Sequence, residues 1–524
     1  ADGGAAGLGV FNDAHSLVEI GIFVHIDMAD AGAGLDAGNG GILHAGTDEP
    51  GPAARDEQVD EALGLHDLRG ALVAGILDDV DNVRIAAHGR DALLERGHDS
   101  LGRVKGLLAA AEHADVAALD GERGRVRRDV RAALIDDRDQ TERHLFFVDL
   151  HAIEVVDLGG KLVCPPFCDT HLHLDYVFTA RKPGAVNESG TLFEGIQRWS
   201  ETKSDLTVDE IKQRAKIGIK KEMLHGVQLI RSHADVTDPN LTSLKALLEL
   251  KEELKDTVTL QIVSFPQEGM YSYEGPHGES GAELVEEGLK MGADCVGGIP
   301  HFEQCREFGE HSMHTVVELA SKYDKLIDVH CDETDDPNSR YVELLSALAY
   351  KAGIGPKVTA SHTCSLGSAD NAYFFHLTKL LKAAHINFAC APTENLYLQG
   401  RQDTFPKRRG ITRVKELTEA GVNVSLGQDS MQDPWYPLGN GNMMLILDYV
   451  LHLAQMMSFE EIDDALKFLT VNGATTLGLR DMYGLETGKP ANFIVLDADS
   501  VFNAVYERCS VLRSVRAGRT LFTR

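Results

Sequence analysis

From residue 153 onward, short apolar runs that end in polar residues alternate with longer stretches whose apolar positions recur at helical spacing. This is the signature of an α/β fold. Eight runs predict strands: Phe167–His173, Val227–His233, Thr257–Phe265, Cys295–Ile299, Leu326–His330, Lys357–His362, Ile386–Ala391 and Val422–Gly427. Between them Val208–Leu224, Thr242–Leu254, Gly281–Met291, Met313–Lys322, Ser339–Ala352, Asp370–Ala384 and Ile411–Ala420 predict amphipathic helices. Each is long enough to cross between parallel strands. Eight such units predict a (β/α)8 TIM-type barrel over residues 166–484.

Residues 1–150 have another texture, rich in Ala, Gly, Asp, Arg and His, with no cysteine and with Lys105 as the only lysine before Lys161. They show neither sustained periodicity nor an internal repeat and stay unassigned. Their histidines, such as His15, His25, His44, His66 and His88, lack the short paired spacing that chelation from one strand or helix requires. They read as structural or exposed groups.

The formal charge of −30 argues against nucleic acid, because phosphate binding needs a basic surface. A neutral or cationic small-molecule substrate fits better. No run approaches the roughly 18 apolar residues needed to span a bilayer, so no membrane partner is expected. All eight cysteines follow residue 160, mostly in apolar runs, which predicts free thiols in a reducing compartment. With no basic region, apolar core and cleavage site at the start of the sequence, a cytoplasmic location is the expectation.

Barrel enzymes carry their chemistry at the C-terminal ends of the strands. Here the first strand ends in His171-Leu172-His173, and side chains two apart on a strand point the same way, so both imidazoles can reach one ion. The fifth strand ends in His330, the sixth in His362, and the eighth runs into Asp429. A lone histidine in a barrel is usually structural; four strand ends bearing His or Asp together are not explained that way. Three imidazoles and a carboxylate suit one divalent ion of borderline hardness, Zn2+ or Fe2+, that activates water for hydrolysis. Glu333, three residues past His330, is within reach to carry a proton, unless it is a surface acid of its loop. His233 at the end of the second strand reads as a structural group or a support for a ligand.

These residues sit in motifs that resemble the cytosine deaminase family of the amidohydrolase superfamily over about residues 153–524: PPFCDTHLHLD (165–175), SGTLFEGIQRW (189–199), RSHADV (231–236), FPQEGM (265–270), GGIPHFE (297–303), DVHCDE (328–333), TASHT (359–363), LQGRQDTFPKRRGITRVKEL (398–417) and DPWYPLGNGNM (433–443). Together they are specific, whereas the His-x-His pair alone is shared across the superfamily. The resemblance implies that His171, His173, His330 and Asp429 hold a single metal, since no lysine stands at the third or fourth strand end to bridge two. It implies that Gln267 binds a pyrimidine carbonyl and ring nitrogen, that Glu333 protonates the ring nitrogen beside the attacked carbon, and that Trp435 walls the pocket. His362 and Asp429 would orient the nucleophile and pass a proton to departing ammonia. Read on their own, Trp435 could be a core aromatic and Gln267 a loop amide. A homo-oligomer is also implied.

The sequence departs from the family pattern in two places. Ser430 follows Asp429 where the family carries a second aspartate, so the pocket near the amino group and C5 edge should be roomier and less acidic. That points to cytosine or 5-methylcytosine, with creatinine, isocytosine or isoguanine deamination, or hydrolysis of a cyclic amide or triazine ring, as alternatives. Secondly, a β-sandwich beside the barrel is expected from residues 151–165 and 485–524, but only its C-terminal half, Gly488–Leu496 and Val511–Phe522, is recognisable. The stretch Glu394–Gly400 resembles a protease tag yet lies against the family's LQGR region and is taken as native.

Overall fold

The computed structural model describes residues 156–524. The calls made on residues 1–150 and on the first residues of the expected sandwich lie outside the described residues.

Eight strands follow one another in a single parallel sheet: β2 (Phe167–Leu172), β3 (Val227–Asp235), β4 (Thr259–Phe265), β5 (Cys295–Val296), β6 (Leu326–Cys331), β7 (Val358–His362), β8 (Asn387–Cys390) and β9 (Asn423–Leu426). The two edges approach through a parallel bridge between Leu172 and Asp429, where the Asp429 amide donates to His171 O at 2.7 Å and the His173 amide to Asp429 O at 3.0 Å. The sheet is thus a nearly closed barrel. Covered on both faces, all nine residues of β3 are buried, the polar Gln228, Arg231, Ser232, His233 and Asp235 included.

Around the barrel run α1 (Leu192–Thr202), α2 (Val208–Leu224), α3 (Thr242–Glu253), α4 (Gly281–Met291), α5 (Arg306–Tyr323), α6 (Tyr341–Ala352), α7 (Asn371–Ala384), α8 (Pro392–Leu398), α9 (Val414–Glu419) and α10 (Met443–Ala454). The bounds of α2 and α4 coincide with those read from the sequence, because each begins at a side-chain cap, Thr207 or Ser280. Helix α5 instead starts two turns before Met313. Its N-cap, Cys305, makes no side-chain capping bond, and Arg306-Glu307-Phe308 is a largely polar start that shows no apolar period. Strand β5 is shorter than expected: at Gly297 a Cβ would lie 2.8 Å from Ser264 O, so the chain crosses its neighbour too closely for an ordinary pleat.

One layer beneath the strand ends, Arg231 and Asp328 pair inside the barrel with no exposure. Arg231 also donates to Thr359 Oγ1 at 3.0 Å, Gln261 Oε1 at 3.2 Å and the carbonyl of Thr476 at 2.8 Å. A buried pair missing one partner costs about 3–5 kcal/mol, so these bonds fix the layer on which the site stands.

A second sheet pairs β1 (Val163–Cys164), β10 (Phe493–Leu496), β11 (Val511–Arg516) and β12 (Arg519–Thr523) in antiparallel order. It contains the expected C-terminal segments and forms one layer among the described residues.

Candidate active site

The C-terminal strand ends bring His171, His173, His330 and Asp429 together. His330 Nε2 lies 3.2 Å from His171 Nε2 and 3.0 Å from His173 Nε2, and Asp429 Oδ1 is 3.5 Å from each of the latter two. Donors around a tetrahedral ion bound at 2.0–2.1 Å stand roughly 3.3 Å apart, so these four separations are close to the edges of such a site. One further observation supports the fit. Burial holds His173 and His330 well below the usual imidazole range and His171 at about 4, leaving neutral rings with lone pairs to offer.

The orientation of His171 follows from a hydrogen-bond chain. Ser361 Oγ donates its single proton to Asp328 Oδ1 at 2.6 Å, and its oxygen lies 2.9 Å from His171 Nδ1. The ring must therefore donate from Nδ1, which leaves the lone pair on Nε2, facing the cluster. His233 stands behind, 3.4 Å from Asp328 and with its ring centroid 4.1 Å from that of His171. His362 also borders the group, but through Nδ1, 3.6 Å from Asp429 Oδ2 and 3.1 Å from Asn395 Nδ2. The donor atoms of His171, His330, His362 and Asp429 all lie within 4.8 Å of one another, so His362 is as well placed as His173 to complete the set.

Glu333 is buried on the loop after β6, 3.7 Å from His362 Nδ1, and accepts from Asn395 Nδ2 at 3.5 Å. Asp332 pins that loop by accepting from Ser339 Oγ and from the amides of Tyr341 and Val342. Burial, and then the neighbouring carboxylate of Glu394, push the Glu333 carboxyl well above its ordinary value. Backbone strain gathers here too: Asp332, His362, Thr363 and Asp429 all have left-handed φ between 45° and 68°.

Gln267 follows β4 and accepts a hydrogen bond from the Tyr176 hydroxyl through Oε1, so its amide nitrogen remains the donor. Tyr176 stacks on Trp435 at 4.6 Å and 23°. Trp435 in turn lies on α1, where a Cβ at Gly195 would come within 2.6 Å of the indole, so only glycine lets the helix approach. Ser430 is buried beside Asp429. His173, Gln267, His330, Glu333, His362, Asp429, Ser430 and Trp435 thus line one cavity, with His171 and His233 outside its lining. Its volume is about 10 Å³, room for one water.

The sequence reading did not identify Tyr176, Glu394 or Asn395. Glu394 had a usable signal, since it stands just past a barrel strand, but the surrounding stretch drew attention only as a tag-like motif.

A parallel barrel carrying a buried His/Asp group that could bind a metal, with acids converging on it, defines a hydrolase built for metal-assisted attack by water. The chain belongs to the amidohydrolase family, which it matches over residues 154–522. It is 48% identical to the 5-methylcytosine deaminase of Klebsiella pneumoniae, solved with phosphonocytosine, at a TM-score of 0.69 over 74% of this chain and 92% of that one. Similarity extends to the N-isopropylammelide isopropyl amidohydrolase of Pseudomonas sp. (strain ADP), 29% identical over 70% of this chain and 87% of the relative. The pterin deaminase of Rhizobium rhizogenes is 26% identical over 65% of this chain and 76% of its own length. The activity class is hydrolysis of a carbon–nitrogen bond in a small molecule. Among the described residues no helix is long and apolar enough to cross a membrane.

Proposed function

We propose that the protein deaminates cytosine or 5-methylcytosine, adding water at the amino-bearing carbon and releasing ammonia to leave the corresponding oxo ring. The observation that carries this reading is the convergence of Gln267, Glu333 and Ser430 on the cavity that the His/Asp group floors and Trp435 walls. The 48% identity to a 5-methylcytosine deaminase supports it. His171, His173, His330 and Asp429 would hold one divalent ion, Zn2+ or Fe2+, which when bound lowers the pKa of a water enough to make it a nucleophile at neutral pH.

The chain's own groups do the remaining work. Gln267 donates from Nε2 to the ring carbonyl. Trp435 and Tyr176 wall the ring and exclude water. Glu333, whose carboxyl burial pushes well above its ordinary value, gives a proton to the ring nitrogen beside the reacting carbon. Asp429 takes the proton of the attacking water, and His362, within 3.6 Å of it, keeps that carboxylate in place while the proton passes to the departing nitrogen. Water adds, the carbon–nitrogen bond breaks as the remaining proton of the added water returns to Glu333 and the carbonyl forms, and ammonia leaves.

A panel of cytosine, 5-methylcytosine, isocytosine and creatinine, read by ammonia release from purified, metal-analysed protein, tests the proposal. Cytosine or its 5-methyl form should dominate. Preference for creatinine would move the substrate while keeping the chemistry. Silence on every ring, with metal bound, would favour the triazine-type hydrolysis suggested by the similarity to the N-isopropylammelide enzyme.

The hydroxymethyl side chain of Ser430 leaves space at the C5 edge. Ser430→Asp should therefore shift the preference from 5-methylcytosine toward cytosine by about 10- to 200-fold, the range one methyl commands in a fitted pocket. An unchanged ratio of kcat/KM values would mean that residue 430 does not touch that edge.

A further inference from the structure

The GGIPHFE stretch ends in an acid that the reaction does not use. Glu303 follows β5 and the short turn Pro300–Phe302, and is 7% exposed. Its carboxylate meets the loop that leads from β4 to α4, the loop that carries Gln267. Oε1 accepts from the amide of Met270 at 2.7 Å, and Oε2 accepts from the amide of Ser272 at 2.8 Å and from its hydroxyl at 2.6 Å. The amide of Tyr271 lies 3.3 Å from both oxygens. Three successive backbone amides thus close on one carboxylate, and hydrogen bonds to a carboxylate are roughly twice as strong as those between neutral groups. The loop is shaped for this contact: Gly269 has φ +94°, and a Cβ there would come within 2.8 Å of Glu303 Oε2.

Gln267 stands two residues before that glycine. Its amide donates to Asp235 Oδ1 at 3.4 Å, and its Oε1 accepts from the Tyr176 hydroxyl. The Gly269 amide donates to the carbonyl of Pro266 at 2.9 Å, so Gln267 sits inside a turn that runs straight into the stretch Glu303 holds. Residues 266–280 are a loop, whose shape depends on outside anchors of this kind.

Building on the deaminase reading and the part it gives Gln267, we propose that Glu303 is a positioning residue for ring binding: by fixing residues 270–272 it sets where the turn at 266–269 directs the Gln267 amide nitrogen. A group displaced by about 1 Å can cost about 10²-fold in rate, so a hold on the loop is felt at the ring without touching it. Glu303 belongs to neither the His/Asp group nor the cavity lining. Loss of its carboxylate therefore weakens the contact with the ring carbonyl and spares the metal ligands and the proton carriers.

The test is a double-mutant cycle on the full-length, metal-analysed protein with its preferred amino ring as substrate. Glu303→Gln keeps an acceptor for one end of the loop but presents an NH2 to the remaining donors. It should raise KM about tenfold, the value of about one hydrogen bond to the ring, while kcat changes by less than about threefold and metal content per chain stays the same. In a Gln267→Ala background the same substitution should change kcat/KM by less than about twofold, because the donor it positions has gone. Equal losses in both backgrounds would make Glu303 a general support of the barrel and overturn the proposal, as would a folded Glu303→Gln enzyme with an unchanged KM. Should Glu303→Gln fail to fold, Ser272→Ala, which removes only the hydroxyl donor, replaces it in the cycle with an expected rise in KM of about threefold, and the same two outcomes decide. Wild-type protein that releases no ammonia from any ring would remove the deaminase reading and this inference together, whereas an active wild type with equal losses removes only the role of Glu303.

Discussion

Glu333→Gln should keep the fold and the bound metal yet lose turnover by about 10²- to 10⁴-fold, the contribution of a positioned proton carrier. The substitution is nearly isosteric and leaves His171, His173, His330 and Asp429 untouched. The hydrogen bond from Asn395 can persist, because the glutamine carbonyl accepts as the carboxyl oxygen does. What disappears is the exchangeable proton. The surroundings make Glu333 suited to carrying one: it is buried and has an acidic neighbour in Glu394. Metal content by elemental analysis and ammonia release under saturating substrate separate the two effects. A variant that retains full activity would remove Glu333 from the reaction.

Removing the metal is expected to have an equally large effect. Dialysis against a chelator should take ammonia release to background, and adding back about one equivalent of Zn2+ or Fe2+ per chain should restore it. The thermal midpoint should fall as well, because a ligand bound only to the folded state stabilises it by mass action, and three neutral imidazoles and a carboxylate would face one another without their ion. Restoration that needs two equivalents would contradict the single-ion site that the Nε2 and Oδ1 separations of 3.0–3.5 Å favour. Chelated protein that keeps its activity would sink the metal-assisted mechanism.

Much of the barrel was legible in the amino-acid order because its determinants are local. Side-chain alternation along a strand places His171 and His173 on one side from their spacing alone, and apolar runs ending in His or Asp mark where strands meet the catalytic face. Capped helices such as Gly281–Met291 announce their starts with a side chain that satisfies their first amides. Helix Arg306–Tyr323, which has no such cap, was read too short for the same reason.

What the sequence alone determined is the set of strand ends and the ligand-type residues on them, since both follow from periodicities of two and 3.6 along the chain. Only the tertiary structure decided how those ends face one another. Ser361 fixes the tautomer of His171 from a strand 190 residues away, Tyr176 takes one oxygen of Gln267, and Glu394 joins Glu333 and Asp429 across the mouth of the barrel. Such contacts depend on barrel closure and on burial, which set both the hydrogen-bond partners and the proton affinity of each acid. Neither can be read from neighbours along the chain.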